Sequence, residues 1–444
     1  MRSIKADPVS IHVAQKLADL TTLPDPFIFK VHRPLRDVNE IAYEPVLLAI
    51  GPYHRHKEHL IPIEQQKLHY LELMLRRMNQ STAETYIMAL RELEKRARRC
   101  YAESMTLTAD EFVEMMLLDG CFIIELFRKY AMSCSWNQCD PIFQISWMLG
   151  VLRHDLLLFE NQLPFFVVAK LFNMSEVGNR RSFNELALYF FNTTIPYSLF
   201  LQEPESTCNS IPYFEHLLSL VHTAACPSLV EIGVAGYGVE KDHKDFISIP
   251  SATELQEDGV KFKKLEGANN LFEAKTLERG WYALFRFKKG EGDSLFDMKF
   301  NNGLLEISQL QIDKGTECFL RNLIAYEQYK GRQNGMYVTD YVALMDALIN
   351  SPMDVELLRQ GGIIVNRLGD DDSICTMFNR LCQSVLVPRV TYKEICRNVD
   401  KHCREHRHSW MVKLRRNSLR SRLVLLLFLI ASVFCVLSYL IPRK

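Results

Sequence analysis

Charged and amide side chains set inside strongly apolar runs are the first residues of this sequence to invite a chemical reading. The run MMLLDGCFII carries Asp119. The run LRHDLLLFENQLPFF carries Arg153, His154, Asp155, Glu160, Asn161 and Gln162, and NLIAYEQY carries Asn322, Glu327 and Gln328. Two or three carboxylates enclosed together could work as a general acid–base set with raised pKa values. The same residues suit a satisfied hydrogen-bond network that fixes helix packing and caps chain breaks such as the one before Pro164. The network is the stronger reading, because no nucleophile, oxyanion donor or phosphate loop accompanies the carboxylates. Sequence neighbours such as His154 and Asp155 are also not expected to orient one another as a catalytic dyad does. No catalytic, cofactor-binding or metal-binding residue is therefore assigned.

Other motifs point the same way. The GxxxxGK(S/T) phosphate loop, the GxSxG elbow and HExxH do not occur. Gly233, Gly236 and Gly238 are in the wrong order for a dinucleotide turn. His54, His56 and His59 lack a Cys or carboxylate at a metal-ligand offset and read as exposed loop histidines. Cys396, His402, Cys403, His406 and His408 crowd one helix, on which four ligands do not converge. Cys375 and Cys382, like Cys396 and Cys403, are seven apart, the ordinary core spacing. The 12 cysteines are scattered through apolar runs, as free thiols of a reduced compartment are.

These residues need elements to position them, and most of the chain has helical periodicity. Helical patterns cover about 63–78, 145–172, 181–191, 212–225, 316–330, 337–350, 353–360 and 371–384. Ser81 with Glu84, and Thr108 with Glu111, have capping-box spacing. Gly361-Gly362 reads as a helix stop. Residues 392–414 suggest one long helix. Leu295–Phe300 and Leu304–Leu310 flank Asn301-Asn302-Gly303 as a hairpin, with further strands possible at Val260–Leu265 and Trp281–Phe287. Lys288–Ser294 reads as a loop. The expected fold is predominantly α with a small antiparallel sheet in the second half (α+β). The expected organisation is an N-terminal segment 1–24, a body 25–400 with a soft boundary near 230–250, a basic stretch 401–422 and an apolar segment 423–441 before the tail 442–444.

The chain has 444 residues, 48% hydrophobic and 24% charged, with no net charge. That excludes a disordered chain and argues against a nucleic-acid binder. Residues 401–444 hold ten Lys or Arg and one acid, a net +9 that leaves −9 on residues 1–400. Leu423–Ile441 contains no charge, Pro or Gly and matches the length of a transmembrane helix. Lys413, Arg415, Arg416, Arg420 and Arg422 precede it, and MRSIKADPVSIHVAQKLADL offers no signal-peptide core. These features predict a C-terminal transmembrane helix. The protein would be a single-pass, tail-anchored one of the plasma membrane or endoplasmic reticulum, with a cytosolic body and the lipid bilayer as one partner. A body outside the cell, as a recognition ectodomain, would instead expose the sequons at Asn79, Asn173 and Asn192 and make the cysteines disulfide candidates.

The series Leu35–His54, Asp110–Phe127, Arg153–Val167, Arg321–Gln328 and Gly362–Gly369 resembles the plant domain-of-unknown-function-247 family, over about residues 25–441. The runs LLxxENQLPFF and LLDGCFI carry most of the likeness. His32 stands where the family has Pro, Arg55 replaces a second His after Gly-Pro-Tyr-His, and LRRNSLRSR lacks the usual Asn-Pro-Trp. The resemblance implies plant origin, membrane association and no established activity, so no catalytic residue is carried over. Some relatives resemble self-incompatibility determinants of grasses. The expected function is non-enzymatic: recognition of unidentified protein partners or signalling, with no cofactor, nucleic acid or small-molecule substrate. The alternatives are a membrane-tethered enzyme using Asp119, Asp155, Glu160 or Glu327, and an extracellular-facing recognition determinant of the self-incompatibility type.

Overall fold

The computed structural model describes residues 7–10, 12–14, 26–132, 140–175, 181–191, 214–226, 249–265, 294–330, 335–388 and 391–407. Helix α1 (Pro62–Arg77) opens on a proline, whose missing N–H costs nothing in a first turn, and buries Ile63, Lys67, Tyr70 and Met74. Helix α2 (Glu84–Arg98) follows. Helix α3 (Ala109–Met132) is capped as its sequence predicts: Thr108 N–H donates to Glu111 Oε2 at 2.8 Å, and Glu111 N–H to Thr108 Oγ1 at 3.3 Å. The centre of α3 is buried all round, so it needs neighbours on every side. It packs against α1, α2, α5 (Phe165–Met174) and α6 (Phe183–Phe191); α4 (Met148–Leu156) lies between α3 and α5 in the chain.

The second half is built around α9 (Thr316–Lys330), preceded by α7 (Leu217–Ala225) and α8 (Ala252–Glu257). Helix α9 packs against α7, α10 (Tyr337–Leu348), α12 (Asp371–Leu381) and the 3-10 turn Glu40–Tyr43. Helix α11 (Pro352–Gln360) ends as expected. Gly362 has φ +72°, and Ile363 N–H reaches back to Leu358 O at 2.9 Å, closing the last turn on a left-handed glycine. Buried apolar residues from Ile28 to Cys403 form one connected core.

The hairpin is where its turn residues put it. Strand β2 (Met298–Asn301) pairs antiparallel with β3 (Leu304–Ile307), and Asn302 and Gly303 both have positive φ, as a two-residue hairpin turn requires. The sheet is nevertheless mixed: β1 (Lys261–Lys264) joins the other edge of β3 in parallel. Only β2 and β3 are bound to opposite directions by a tight turn. The structure also adds a parallel pair, β4 (Leu310–Ile312) with β5 (Ile364–Asn366), strands too short for periodicity to reveal. Helical residues 393–407 (α13) lie on the hairpin, where the ring of His402 sits 5.8 Å from that of Phe300.

Several expectations are corrected. Helix α2 starts at Glu84 with Ala83 as its cap and no side-chain capping bond, so Ser81 and Glu84 do not form a box. The helical pattern over 145–172 is broken between Leu156 and Phe165, where Asn161 and Gln162 bind backbone groups. The C-terminal transmembrane helix is not supported. No helix among the described residues is long and apolar enough to cross a membrane. Leu423–Ile441 and Lys413, Arg415, Arg416, Arg420 and Arg422 lie outside the described residues, as do 227–248 and Trp281–Phe287. An apolar run gives only the length of a span, whereas crossing lipid needs one continuous helix that satisfies its own backbone. The 24-residue α3 illustrates the difference: it carries Asp119, Glu125 and Arg128 and is a core helix. The single-pass, tail-anchored assignment and the localisation built on it are withdrawn.

Two glycines test the packing. Gly51 has φ +72°, and a Cβ there would lie 2.6 Å from Gln162 O, whereas a Cβ on Gly150 in α4 meets nothing within 4 Å. Urea unfolding should show Gly51→Ala destabilised by about 2 kcal/mol or more. Gly150→Ala should be stabilised by up to about 1 kcal/mol.

Candidate functional site

Most of the polar residues singled out by the sequence converge on two strips of irregular chain, 46–51 and 157–163, of which 48–51 and all of 157–163 are buried. Such backbone must find hydrogen-bond partners outside any helix or sheet. Asp155, at the end of α4, supplies most of them. Its Oδ1 accepts from Val46 N–H at 3.0 Å, and Oδ2 from Leu47 and Leu48 N–H at 2.7 and 2.8 Å. Asn161 continues the line. Its Oδ1 accepts from Ile50 N–H at 2.6 Å, and its Nδ2 donates to Leu48 O and Asp155 O, both at 2.8 Å. The amide of Asn161 thus does for residues 48 and 50 what a neighbouring strand would do.

Asp119 closes the strip from α3. It accepts from Gly51 N–H at 2.8 Å and from Lys67 Nζ at 2.6 Å, while Lys67 also donates to Ala49 O at 2.6 Å. Burial pushes the Asp119 carboxyl up from its usual range, against the pull of Lys67. Glu160 accepts from Val31 N–H and Arg36 Nη2, each at 2.6 Å, with His54 Nε2 at 3.3 Å. Burial opposes its charge, but His54 and Arg36 outweigh that and hold the carboxyl below its usual range. Gln162 donates to Leu156 O and Leu158 O and accepts from Leu218 N–H. Asn322, on α9, accepts from Phe159 N–H and donates to Ala42 O and Cys318 O, all at 2.8 Å. Glu327 caps α10 by accepting from Val338 and Thr339 N–H, and meets His222 Nε2 at 2.8 Å. All four carboxylates are enclosed.

Three predicted residues stand apart, Glu327, which caps the start of α10, among them. Arg153 donates to Phe190 O at 2.8 Å and lies over the Tyr130 and Phe190 rings. Gln328 pairs with the backbone of Leu386 near the surface. His54 is buried, contrary to the exposed-loop reading, because Glu160 and Glu44 face it. Among the described residues no group of three His, Cys, Asp or Glu could hold a metal ion.

Sequence reasoning passed over Lys67 and Cys318. Lys67 occupies the buried stripe Ile63, Lys67, Tyr70, Met74 of α1, and that register was a legible signal. Cys318 is met only in space. His154 Nδ1 lies 2.9 Å from Asp155 Oδ1, and its Nε2 lies 2.9 Å from Cys318 Sγ. The expectation that these neighbours could not orient one another is corrected: at the end of α4 the ring folds back onto the adjacent carboxylate. Burial works against the charge of His154, but the hydrogen bonds to Asp155 and Cys318 outweigh it and raise the imidazole to about 10.

A family model described as a plant protein of unknown function, DUF247, matches residues 28–437. The chain belongs to the plant DUF247 family. The DUF247 chain is 28% identical to a UPF0481 protein of Arabidopsis thaliana over 94% of this chain and 87% of that relative. A second Arabidopsis UPF0481 protein is 22% identical, over 88% of this chain and 84% of its own. No solved structure matches. In this DUF247 chain the runs Leu35–His54, Asp110–Phe127, Arg153–Val167 and Arg321–Gln328 are the segments cross-linked by Asp119, Asp155, Asn161 and Asn322.

Lys67→Met leaves Asp119 buried without its cation and should cost about 3–5 kcal/mol in urea unfolding. The double change Lys67→Met with Asp119→Leu should recover only part of that loss, since it still orphans Gly51 N–H and Ala49 O. The raised imidazole of His154 contributes stability that is full below its ordinary value of 6.5 and is lost as pH rises through about 10. Unfolding measured between about pH 7 and about pH 10 should show that decline in wild type and a flatter one in His154→Gln.

Proposed function

We propose that this chain works by recognising another protein. The observation that carries the reading is a set of exposed aromatic and aliphatic side chains at the end of α3, the start of α4 and the end of α6. Trp147, at the start of α4, is 56% exposed, and Met132, Ile145 and Tyr189 are also open to solvent. Tyr189 lies 5.4 Å from Tyr130, whose ring also carries Arg153 of α4. Exposed tryptophan is the kind of anchor that dominates protein interfaces. The negative excess on residues 1–400 favours partners that are basic. The enclosed, hydrogen-bonded state of Asp119, Asp155, Glu160 and Glu327 supports a structural assignment for those carboxylates.

A photo-crosslinking residue at position 147, compared with one at exposed Glu92, tests the proposal in plant extract. A discrete adduct at 147 that excess wild-type chain competes away is the expected result. Trp147→Ala should weaken capture of that adducted protein about 30-fold, with an unchanged melting curve. Identical adducts from both positions, or full capture by Trp147→Ala, would overturn it.

A further inference from the structure

Cys318 occupies the first turn of α9, a 15-residue helix whose leading amides have no acceptor within the helix. Its Sγ lies 2.9 Å from His154 Nε2, and the opposite ring nitrogen lies 2.9 Å from Asp155 Oδ1. Asp155 is itself immobilised by the amides of residues 46–48. Thiol, imidazole and carboxylate therefore stand in the order nucleophile, base and orienting acid. Sγ also lies 3.0 Å from Ala42 O, which fixes the side chain on the His154 side of the helix. The group is not sealed in the core: Cys318 keeps 8% exposure and the His154 side chain 25%. Both line a cavity of about 490 Å³ whose walls include Leu157, Leu310, Phe319 and Leu320, with Lys314 and Arg367 among its polar residues. That volume lies within the range of small-molecule sites.

We propose that Cys318, His154 and Asp155 form a nucleophilic thiol site that accepts an acyl group from an activated ester or thioester with an apolar chain. The proton shared by the pair sits on Nε2, as the raised imidazole requires, and Sγ attacks the acyl carbonyl carbon. The Sγ–C bond forms as the bond from that carbon to the leaving oxygen or sulfur breaks. The leaving group departs with the proton from His154. Water then adds to the acyl thioester, His154 accepts its proton and returns it to Sγ, and a carboxylic acid is released. By helix geometry the amides of Glu317 and Cys318 point out of the N-terminus and are the donors for the oxyanion. Asp155 is a positioning residue, holding the ring so that Nε2 faces the thiol. This activity is additional to protein recognition and does not depend on it.

The test uses the full chain with p-nitrophenyl butyrate, following p-nitrophenolate release together with peptide mass mapping. Wild type should release a burst of p-nitrophenolate and carry one butyryl group on the Cys318 peptide. Cys318→Ala should lose both. His154→Gln, checked for an unchanged circular dichroism spectrum, should acylate about 100-fold more slowly. Should that variant fail to fold, the mass map of the wild-type chain decides alone. Absence of the butyryl group from Cys318, its spread over other cysteines, or an unchanged rate in folded His154→Gln would overturn the proposal.

Discussion

Residues 46–51 belong to neither a helix nor a sheet, residues 48–51 are buried, and the rest of the body is arranged to satisfy them. Each of their amides left without an acceptor would cost about 1–3 kcal/mol. Asp155 serves residues 46–48, Asn161 serves residue 50, and Asp119 serves residue 51. Their carbonyls are met by Lys67 at residue 49 and Asn161 at residue 48. These partners come from α1, α3, the end of α4 and the strip that follows it. The strip therefore settles only when the helices are packed, and the helices keep buried charges only when the strip is in place.

The same arrangement governs the charges. A carboxylate that accepts three amides has one orientation, so Asp155 also fixes the neighbouring imidazole. That ring reaches across to the start of α9, where Asn322 ties the helix back to Ala42 and Phe159. The two halves of the chain meet through hydrogen bonds of set direction as well as through apolar contact. This is why one cysteine of α9 faces a histidine 164 positions earlier.

What was legible in the sequence follows from range. Local signals worked where the interacting groups are neighbours in the chain. The Thr108 and Glu111 cap, the Asn302-Gly303 turn and the glycine stop after α11 all formed as expected. Ser81 and Glu84 have the same spacing but no cap, since the helix begins at Glu84 itself. Apolar length by itself does not establish a membrane span, which needs a continuous helix that satisfies its own backbone, and no helix among the described residues is long and apolar enough to cross. The parallel direction of β1 was beyond local signals too, because no tight turn ties it to β3.

By itself the sequence determined that the body is mainly helical, that the carboxylates and amides of the apolar runs belong inside, and that each must find a partner there. Those conclusions rest on periodicity and on the cost of burying polar groups, both of which a single chain displays. Only the tertiary structure decided which partners they found. Lys67 meets Asp119 across 52 positions, Glu160 meets Val31 across 129, and Cys318 meets His154 across 164. Pairing at that distance depends on how helices pack and where irregular chain is threaded between them, and no residue spacing encodes either.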